Sequence, residues 1–497
     1  MSDVIGRGDV AAPAHCPDRT RASMARCAPH AVTDVDRADL AAVVGPHTIH
    51  GVWSLAILVA SALSSVPAPA GAQEHLNRCP AARWTSPALV VPLQPLLAAV
   101  RYPDLAIGRS ATYIVGVRGL EAIYPGLVPD RRGGVWPPVV DVFSTTGAGA
   151  AIPGPTGGRW YFYPRAAYTG DGTLHLVWGE ADDDPPADPS RISRNIAVTH
   201  LLHAAFRAGR WTAPTVIYRA SRIDWELADF SRLVTDEDGQ LHLALTAVDS
   251  AGRAVLVHLR FEREQSASWH ATTWADESPA YADIAVGTGR MAHLAAIVYV
   301  AGGDALSAAN NENAEVILRT SADGGETWGP PRRLAQPGEV PAFEPRVLIA
   351  RDGTIHVLWR QDASASAISA GRMWHVASRD KGVSWFGRAS VALPQVRMRA
   401  RAVVDFCGVV HLITESHGGG EVHLAYAQWR NGAWTTPALL FPDAMSTHAA
   451  LALGRDCTVR LAWDKVERRN PDAAPWSGIM YSALEATSPK DARGDAC

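Results

Sequence analysis

Arginine recurs at one position of a repeated sequence pattern. The pattern is a turn followed by His and an apolar run, and in four copies Arg stands ten residues before the His. These four residues are Arg165, Arg232, Arg346 and Arg401. Guanidinium groups that converge on one point bind a carboxylate or a sulfate through forked, charge-assisted hydrogen bonds. The spacing therefore predicts a binding site for an anionic group.

A structural role is the second interpretation of the same arginines. Each could instead pair with the backbone of a neighbouring strand, or with an acid between two copies. Asp283 and Asp104 occupy the equivalent position in two further copies. Repetition favours the structural role, because a binding site is usually asymmetric whereas a scaffold repeats. The histidines of the pattern follow the same logic, so their equivalent copies indicate packing rather than general-base chemistry.

The pattern also predicts the elements that carry these residues. Its turn, Asp-Gly in the clearest copies, lies between two alternating apolar runs, which is a hairpin signal. Another strand and a Trp complete each copy, so a copy reads as four short strands over roughly 50–75 residues, the size of one propeller blade. The copies predict an all-β protein, a β-propeller of seven four-stranded blades. Six blades remain the alternative, because the first copy is degenerate.

The two ends of the chain are predicted to close the ring. A lone strand follows Trp84, and the last strand covers residues 478–484. Together these fragments make one complete blade. Their pairing hides the strand edges that an open sheet would expose.

Two segments, residues 321–328 and 378–385, share the pattern Ser-x-Asp-x-Gly-x-x-Trp. Ser and Asp side chains bond turn backbone, Gly supplies a positive φ, and Trp packs the turn against the next strand. The pattern resembles the Asp box of the sialidase/neuraminidase superfamily, which is also described as the BNR repeat. Its eight positions are Ser321, Asp323, Gly325, Trp328, Ser378, Asp380, Gly382 and Trp385.

The resemblance implies a glycan-directed β-propeller whose Asp boxes lie on the face opposite the active site. Sialidases begin with Phe/Tyr-Arg-Ile-Pro, and Val100-Arg-Tyr-Pro here places Arg101 at the Arg position that grips the sugar carboxylate. Asp130 is the counterpart of the acid/base Asp. Tyr481-Ser-Ala-Leu matches the letters of the nucleophile phrase, but it falls on a third strand rather than on an inner one. The complete catalytic set is not visible, so whether the chain is an enzyme is left open.

Charged segments collect at the end of the copies opposite the Asp boxes. Blade geometry places there the loops that enter first strands and the loops that join second to third strands. The segments are Glu180-Ala-Asp-Asp-Asp184, Arg222-Ile-Asp-Trp-Glu226, Glu339 with Glu344, Arg360-Gln-Asp362, Glu415-Ser-His417 and Asp464-Lys465. Charged loops above a rigid scaffold predict a ligand site, and a solvated polar rim is the alternative.

Two functions follow from these patterns. The first is an exported propeller that acts on or binds an anionic glycan, as a glycosidase of sialidase type or as a lyase. The second is a non-catalytic propeller that binds carbohydrate or protein, since propellers host many functions. The net charge of −4 without a basic stripe argues against nucleic acid as a partner. No cofactor is predicted, and no Cys or His cluster has the spacing of metal ligands.

Residues 52–63, VWSLAILVASAL, form the one continuous apolar run, which is too short to span a bilayer. A small-residue segment and Gln73 follow, as is typical of a signal peptide and its cleavage site. We predict a disordered or mis-annotated extension at 1–50, a signal peptide at 51–72, the propeller at 73–485 and a flexible tail at 486–497. A short buried helix or a membrane-proximal anchor is the alternative for the apolar run. Export predicts a secreted, periplasmic or cell-surface protein.

Cleavage before Gln73 leaves four cysteines, an even number that permits two disulfides in an exported protein. Cys407 and Cys457 stand at equivalent turns of successive copies, and Cys79 and Cys497 stand at the two ends of the domain. The predicted pairs are therefore Cys407 with Cys457 and Cys79 with Cys497.

Overall fold

The computed structural model describes residues 82–95, 100–108, 112–118, 139–144, 152–153, 161–180, 198–223, 232–262, 268–275, 278–299, 314–335, 342–362, 368–418, 421–442, 445–454, 456–467 and 475–486. All of them belong to one compact unit, Pro67–Cys497. Within these ranges the regular elements are β-strands, and no helix there is long and apolar enough to cross a membrane. The all-β prediction is confirmed.

The strands follow one another in antiparallel groups, which we number as repeats 1 to 7. Repeat 1 contains β3 (Val100–Ile107), β4 (Thr112–Arg118), β5 (Val139–Ser144) and β6 (Ile152–Pro153). Repeat 2 contains β7 (Tyr161–Tyr168), β8 (Leu174–Glu180), β9 (Val198–Arg207), β10 (Arg210–Trp211) and β11 (Thr215–Ile223). Repeat 3 contains β12 (Val234–Thr235), β13 (Leu241–Val248), β14 (Ala254–Glu262) and β15 (Ser268–Trp274). Repeat 4 contains β16 (Ser278–Val286), β17 (Ala292–Tyr299), β18 (Ala314–Ser321) and β19 (Arg332–Arg333).

The later repeats have the same order of strands. Repeat 5 contains β20 (Ala342–Ile349), β21 (Ile355–Asp362), β22 (Ile368–Ser378) and the first part of β23 (Phe386–Val404). Repeat 6 contains the last part of β23, then β24 (Val410–Gly418), β25 (Glu421–Arg430), β26 (Ala433–Trp434) and β27 (Ala438–Leu440). Repeat 7 contains β28 (Met445–Leu453), β29 (Val459–Glu467) and β30 (Trp476–Ala486). Its outer strands come from the other end of the described chain, as β1 (Ala82–Trp84) and β2 (Ala88–Pro95), both paired with β30.

The turn between the first and second strands shows why the sequence pattern forms a hairpin. In repeat 5, Gly353 adopts a φ of 82°, which glycine reaches without steric cost. Its N–H donates to the carbonyl of Ala350 at 2.9 Å, and Asp352 accepts the N–H of Thr354 at 2.9 Å. The strand that follows then buries the apolar residues around Trp359, which is fully enclosed. Trp178 and Trp463 occupy the same place in repeats 2 and 7.

Hydrophobic clusters join each repeat to the next. One cluster spans repeats 1 to 3, and four others join repeats 3 and 4, 4 and 5, 5 and 6, and 6 and 7. A further cluster joins repeat 7 to repeat 1, where Ile479 and Ala462 pack with Leu105 and Ile114. The first strands of all seven repeats also contact one another in sequence, and β28 contacts β3. The core therefore lies between the sheets, and each repeat depends on both of its neighbours.

Candidate functional site

A bulge interrupts the first strand of several repeats close to its beginning. The pairing register shifts between Arg101 and Asp104 in β3, between Phe343 and Arg346 in β20, and between Thr447 and Ala450 in β28. We call this end of the repeats the bulge end, and the end that carries the Asp-Gly turns the turn end. Bulges re-aim side chains and often lie beside active sites.

Three bulges hold a residue other than glycine at positive φ. The φ angle is 57° at Tyr102, 49° at Glu344 and 52° at His448. Such a conformation is uncommon for non-glycine residues, and strained backbone clusters at functional sites. The three residues occupy equivalent positions, so the bulge end is the candidate site.

The predicted arginine Arg232 binds acceptors in the next two repeats. Its Nε and Nη2 donate to the two oxygens of Asp283 at 3.0 and 2.8 Å, and Nη2 also donates to the carbonyl of Val347 at 2.6 Å. Asp283 is fully buried, whereas the Arg232 side chain is 26% exposed. The same carboxylate accepts the N–H of Val347 at 3.0 Å. These contacts are those of the structural interpretation, in which an arginine pairs with an acid between repeats.

Arg346 is buried in the same region, with its Nε donating to the carbonyl of Ala400 at 2.9 Å. Burial lowers the pKa of Arg346 to about 9. Asp283 opposes this shift, while the positive charges of Arg401 and Arg232 add to it. Arg401 and Arg232 therefore both lie within electrostatic reach of Arg346.

Arg401 and Arg165 complete the group. Nε of Arg401 donates to the carbonyl of Ala449 at 3.0 Å, and Nη1 of Arg165 donates to the carbonyl of Pro164 at 3.0 Å. Burial raises the pKa of Asp104, and the charges of Arg165 and Arg401 partly offset this rise. Asp104 thus lies within electrostatic reach of Arg165 and Arg401, and Arg346 lies within reach of Arg401 and Arg232. Whether the four arginines bind a ligand stays a prediction.

Carboxylates at the bulge end tie each repeat to the following one. In every case an oxygen of one repeat accepts a backbone N–H of the next, at 2.6–3.3 Å. The donor and acceptor pairs are Ala166 to Asp104, Val347 to Asp283, Ala400 to Glu344, His448 to Glu415, and Tyr102 to Asp464. The last pair joins repeat 1 to repeat 7. These acids therefore have a structural role whether or not a ligand binds.

The sequence placed several of these charged groups in loops, and that placement is wrong. Glu344 lies in β20, Arg360 in β21, Glu415 in β24 and Asp464 in β29. Glu344 and Arg360 form a buried ion pair at 3.1 Å. Charged residues are stable at these strand ends because backbone N–H groups of the next repeat donate hydrogen bonds to the carboxylates.

His448 has the most distinctive surroundings at the bulge end. Its Nδ1 lies 2.9 Å from Oδ2 of Asp464, which is fully buried. The Tyr102 ring packs on the imidazole with 4.2 Å between ring centroids. Thr447 Oγ1 also lies 2.8 Å from Nδ1. The imidazole is held by groups from two repeats, and its side chain remains 10% exposed.

Sequence reasoning did not single out Tyr102 or His448 as site residues. Both stand two residues before the position of the recurring arginine or aspartate. In two bulges a Pro directly follows the residue at positive φ, as Tyr102-Pro103 and Glu344-Pro345. This Pro is the signal that could have marked the bulge. The contact between Tyr102 and His448 could not be predicted, since the two residues belong to opposite ends of the chain.

Other predicted site residues lie elsewhere or outside the described residues. Asp130, Cys79 and Cys497 lie outside them, and Arg101 belongs to β3 with a side chain that is not described. Tyr481 lies on β30, the third strand of repeat 7, as its spacing indicates. No group of acids, histidines and cysteines among the described residues could hold a metal ion.

The two Ser-x-Asp-x-Gly-x-x-Trp turns share one hydrogen-bond pattern. Ser321 and Ser378 each donate to Oδ1 of the Asp two residues later, at 2.7 and 2.8 Å. Each Ser Oγ also accepts the N–H of the pattern glycine at 2.8 Å. Hydrogen bonds from Ser384 lower the pKa of Asp380 to about 2. Both turns lie at the turn end, away from the bulges.

The other two cysteines, Cys407 and Cys457, are both disulfide-bonded. They lie in the turns between the first and second strands of repeats 6 and 7. The predicted pairing between them stays a prediction.

Comparison with known proteins places these features in context. No protein-family model and no curated protein matches the chain. A protein of unknown function from Dyadobacter fermentans is similar over 82% of this chain and 100% of its own, with 11% identity and a TM-score of 0.45. An ulvan lyase of polysaccharide lyase family PL25 is similar over 80% of this chain and 95% of its own, with 10% identity and a TM-score of 0.47. A Hadza microbial sialidase is similar over 69% of this chain and 73% of its own, with 12% identity and a TM-score of 0.39. At these identities and scores the similarities establish neither the family nor the function of this chain.

Proposed function

We propose that this protein is a β-propeller of the sialidase superfamily type that acts on or binds an anionic glycan at its bulge end. The observation that carries the proposal is the convergence of Arg165, Arg232, Arg346 and Arg401. Asp104, Asp283 and Glu344 share their electrostatic field. A guanidinium group binds a carboxylate or a sulfate through forked, charge-assisted hydrogen bonds, which favours an anionic ligand.

The burial of Arg346 supports an anionic ligand in particular. Like charges and burial make its positive charge costly, as the lowered pKa indicates. A carboxylate or sulfate bound nearby would supply the missing negative charge. Arg232 keeps part of its side chain exposed and can reach such a group.

The fold proposed for this function is a closed propeller of seven blades. Seven antiparallel repeats of four or five strands, the clusters between successive repeats and the contact of repeat 7 with repeat 1 support this arrangement. We assign the turns at 321–328 and 378–385 as Asp boxes, which the identical bonding of Ser321 and Ser378 supports. The face that carries them is then the one without the ligand.

Export is part of the proposal. The disulfide-bonded state of Cys407 and Cys457 favours an oxidising compartment. We expect the mature protein to begin at Gln73, so N-terminal sequencing of material from the periplasm or medium tests this point. A mature terminus within residues 1–50 would contradict it.

Titration calorimetry with uronate and sialic acid oligosaccharides tests the ligand. Arg401→Gln should weaken binding by about tenfold or more, because a charge-assisted hydrogen bond contributes about 1.5–3 kcal/mol. Arg460→Gln is the matched control, since it removes the same charge at the turn end, where Arg460 pairs with Asp456. Equal loss in both variants, or binding that persists unchanged in Arg401→Gln, would contradict the proposal.

A non-catalytic binding module is the second candidate. Glu344, Glu415 and Asp464 each accept a backbone N–H of the next repeat. This role is structural and is the same in a protein that has no catalytic activity. Binding of an anionic glycan without any cleavage of sialosides or uronate polymers would support this candidate.

A further inference from the structure

His448 presents one ring nitrogen that no described residue uses. Nδ1 faces the carboxylate of Asp464 at 2.9 Å, so the proton of the neutral ring belongs on Nδ1. Nε2 then carries the lone pair, and among the described residues none forms a hydrogen bond with it. The side chain is 10% exposed, so it is not fully closed off from solvent. An imidazole oriented by a buried carboxylate in this way is a proton acceptor.

The strained backbone fixes where this nitrogen points. His448 adopts a φ of 52° in the bulge of β28, and its N–H donates to Glu415 at 2.6 Å. Tyr102, strained in the same way, covers one face of the ring. Repeats 6, 7 and 1 therefore all contribute to one side chain. Support of one side chain by three repeats is expected where a reactive group must be held in place.

The carboxylates nearby are poor candidates for the same role. Glu344, Glu415 and Asp464 are each at most 2% exposed, and each accepts a backbone N–H. Glycoside hydrolysis by paired carboxylates needs one free acid and one free base or nucleophile. Among the described residues of the bulge end, His448 instead has an imidazole nitrogen without a hydrogen bond. Such a nitrogen can accept a proton from carbon.

Positive charge lies next to His448. Arg401 donates to the carbonyl of Ala449, the residue that follows His448. Arg401 also lies within electrostatic reach of Arg346 and of Asp104. A substrate carboxylate held by this group would be neutralised, which makes the C–H bond beside that carboxylate more acidic.

We propose that Nε2 of His448 is the proton acceptor in a β-elimination that cleaves a uronate-containing polysaccharide. Nε2 takes the proton from the carbon beside the carboxylate, and the electrons of that C–H bond form a C=C bond. The C–O bond to the neighbouring sugar breaks, and its electron pair leaves with the oxygen. The imidazolium returns the proton to that oxygen, so neither water nor an oxidant is consumed. Asp464 is a positioning residue that holds Nδ1 and stabilises the imidazolium. The inference rests on the proposed function for its anionic substrate.

The test uses the full chain with polygalacturonate, alginate and hyaluronan as probes. Ultraviolet absorbance of the unsaturated uronate reports elimination, and a reducing-sugar assay reports cleavage of any kind. His448→Gln should lower the elimination rate by about 10²–10⁴-fold, the usual contribution of general-base catalysis, while calorimetric binding is retained. His423→Gln is the matched control, because His423 lies at the same end of repeat 6 and pairs with the exposed Glu421.

Asp464→Asn separates positioning from a merely structural role. Loss of the negative charge should move the acidic limb of the rate profile to lower pH, because a nearby carboxylate raises the pKa of an imidazole. A change in rate without this shift would mean that Asp464 only supports the fold. Thermal melting of each variant identifies those that fail to fold.

Several outcomes would overturn the inference. Cleavage without an unsaturated product would show hydrolysis, and full activity in His448→Gln would exclude His448 as the base. Binding of these polymers without cleavage would overturn the inference and leave the proposed function standing. Absence of any binding would overturn both.

Discussion

The turn end and the bulge end of the repeats use histidine in opposite ways. At the turn end, His175 bonds His203, His242 bonds His258, and His356 bonds His375, each Nδ1 to Nε2 at 3.0–3.1 Å. The rings of each pair are stacked, with centroids 5.2–5.4 Å apart. At the bulge end, His448 bonds a carboxylate and keeps one nitrogen open.

This difference separates histidines that stabilise the fold from a histidine that is a candidate for function. The same pair recurs in three repeats, and repeats 6 and 4 substitute Tyr426 and Thr320 for the partner of the pattern His. A contact that recurs within successive repeats stabilises each repeat. The bulge end places Tyr, Glu and His at equivalent strained positions, so it varies where the turn end repeats. A ligand site is usually asymmetric, so it needs different residues at equivalent positions.

Acid should cause the largest effect, and it should act through the turn end. Burial lowers the pKa of His203 and His258 to about 3 and of His293 and His356 to about 4, and it also lowers the pKa of His375 well below its ordinary value. Their pKa is lower in the folded state than the ordinary 6.5 of the unfolded chain. The stability they support is therefore present above pH 6.5 and lost as pH falls toward 4. Each such histidine costs about 1.4 kcal/mol per pH unit in that window.

Urea unfolding between pH 7 and pH 4 measures this loss. His203→Gln keeps a group that can bond His175 but does not titrate, so the slope against pH should fall by about one proton. A stability that stays flat from pH 7 to pH 5 would contradict the comparison. Asp352 raises the pKa of His356 while Arg379 lowers it, so that pair is less suited to the test.

The second-largest effect on stability should come from removal of one arginine at the bulge end, compared with removal of one at the turn end. Arg232→Met leaves the fully buried Asp283 without its forked partner, so unfolding free energy should fall by about 3–5 kcal/mol. Arg460→Met removes the partner of Asp456, which is 54% exposed, and should cost at most about 1 kcal/mol. Chemical denaturation at pH 7 measures both. Equal losses would mean that the bulge-end arginines are not part of the interlock between repeats.

The turns at 321–328 and 378–385 offer a smaller and closely matched contrast. Gly325 and Gly382 have φ angles of 82° and 83°, so alanine is strained at both. A Cβ on Gly325 would clash with Cε1 of His258, whereas a Cβ on Gly382 would make ordinary contacts with Trp385 at 3.5 Å and Leu318 at 3.7 Å. Gly325→Ala should therefore lose about 1–3 kcal/mol more stability than Gly382→Ala. Equal melting temperatures for the two variants would show that His258 is not fixed against the turn.

The smallest expected effect concerns the substituted pair in repeat 6. Tyr426 OH lies 2.7 Å from Nδ1 of His411 and accepts from Gln428 at 2.6 Å. Tyr426→Phe should cost about 1 kcal/mol at pH 7, the net worth of one hydrogen bond. Urea unfolding at pH 7 measures this loss, and a loss several times larger would contradict it.

Local pattern accounts for what could be predicted. Asp-Gly before His fixes a hairpin through backbone conformations that only nearby residues decide, so Gly353 and His356 lie where the sequence placed them. The bonding of Ser378 to Asp380 is likewise decided within one turn. The four arginines were placed at the start of the inner strands. Arg165, Arg346 and Arg401 instead lie inside β7, β20 and β23, and Arg232 precedes β12.

Partners distant in the chain account for what could not be predicted. Glu415 and Asp464 were assigned to loops because blade geometry places the connections between second and third strands at that end. Their partners are backbone N–H groups of the next repeat, His448 and Tyr102, and no local rule identifies those.

The sequence by itself determined an all-β chain of repeated four-stranded units, because strand alternation and turn chemistry act over a few residues. Only the tertiary structure decided the surroundings of His448. Tyr102 and Asp464 meet there from positions 362 residues apart, at the junction of repeats 7 and 1. Such a junction exists only once both ends of the chain are folded together, because burial and hydrogen bonding between repeats depend on the assembled packing.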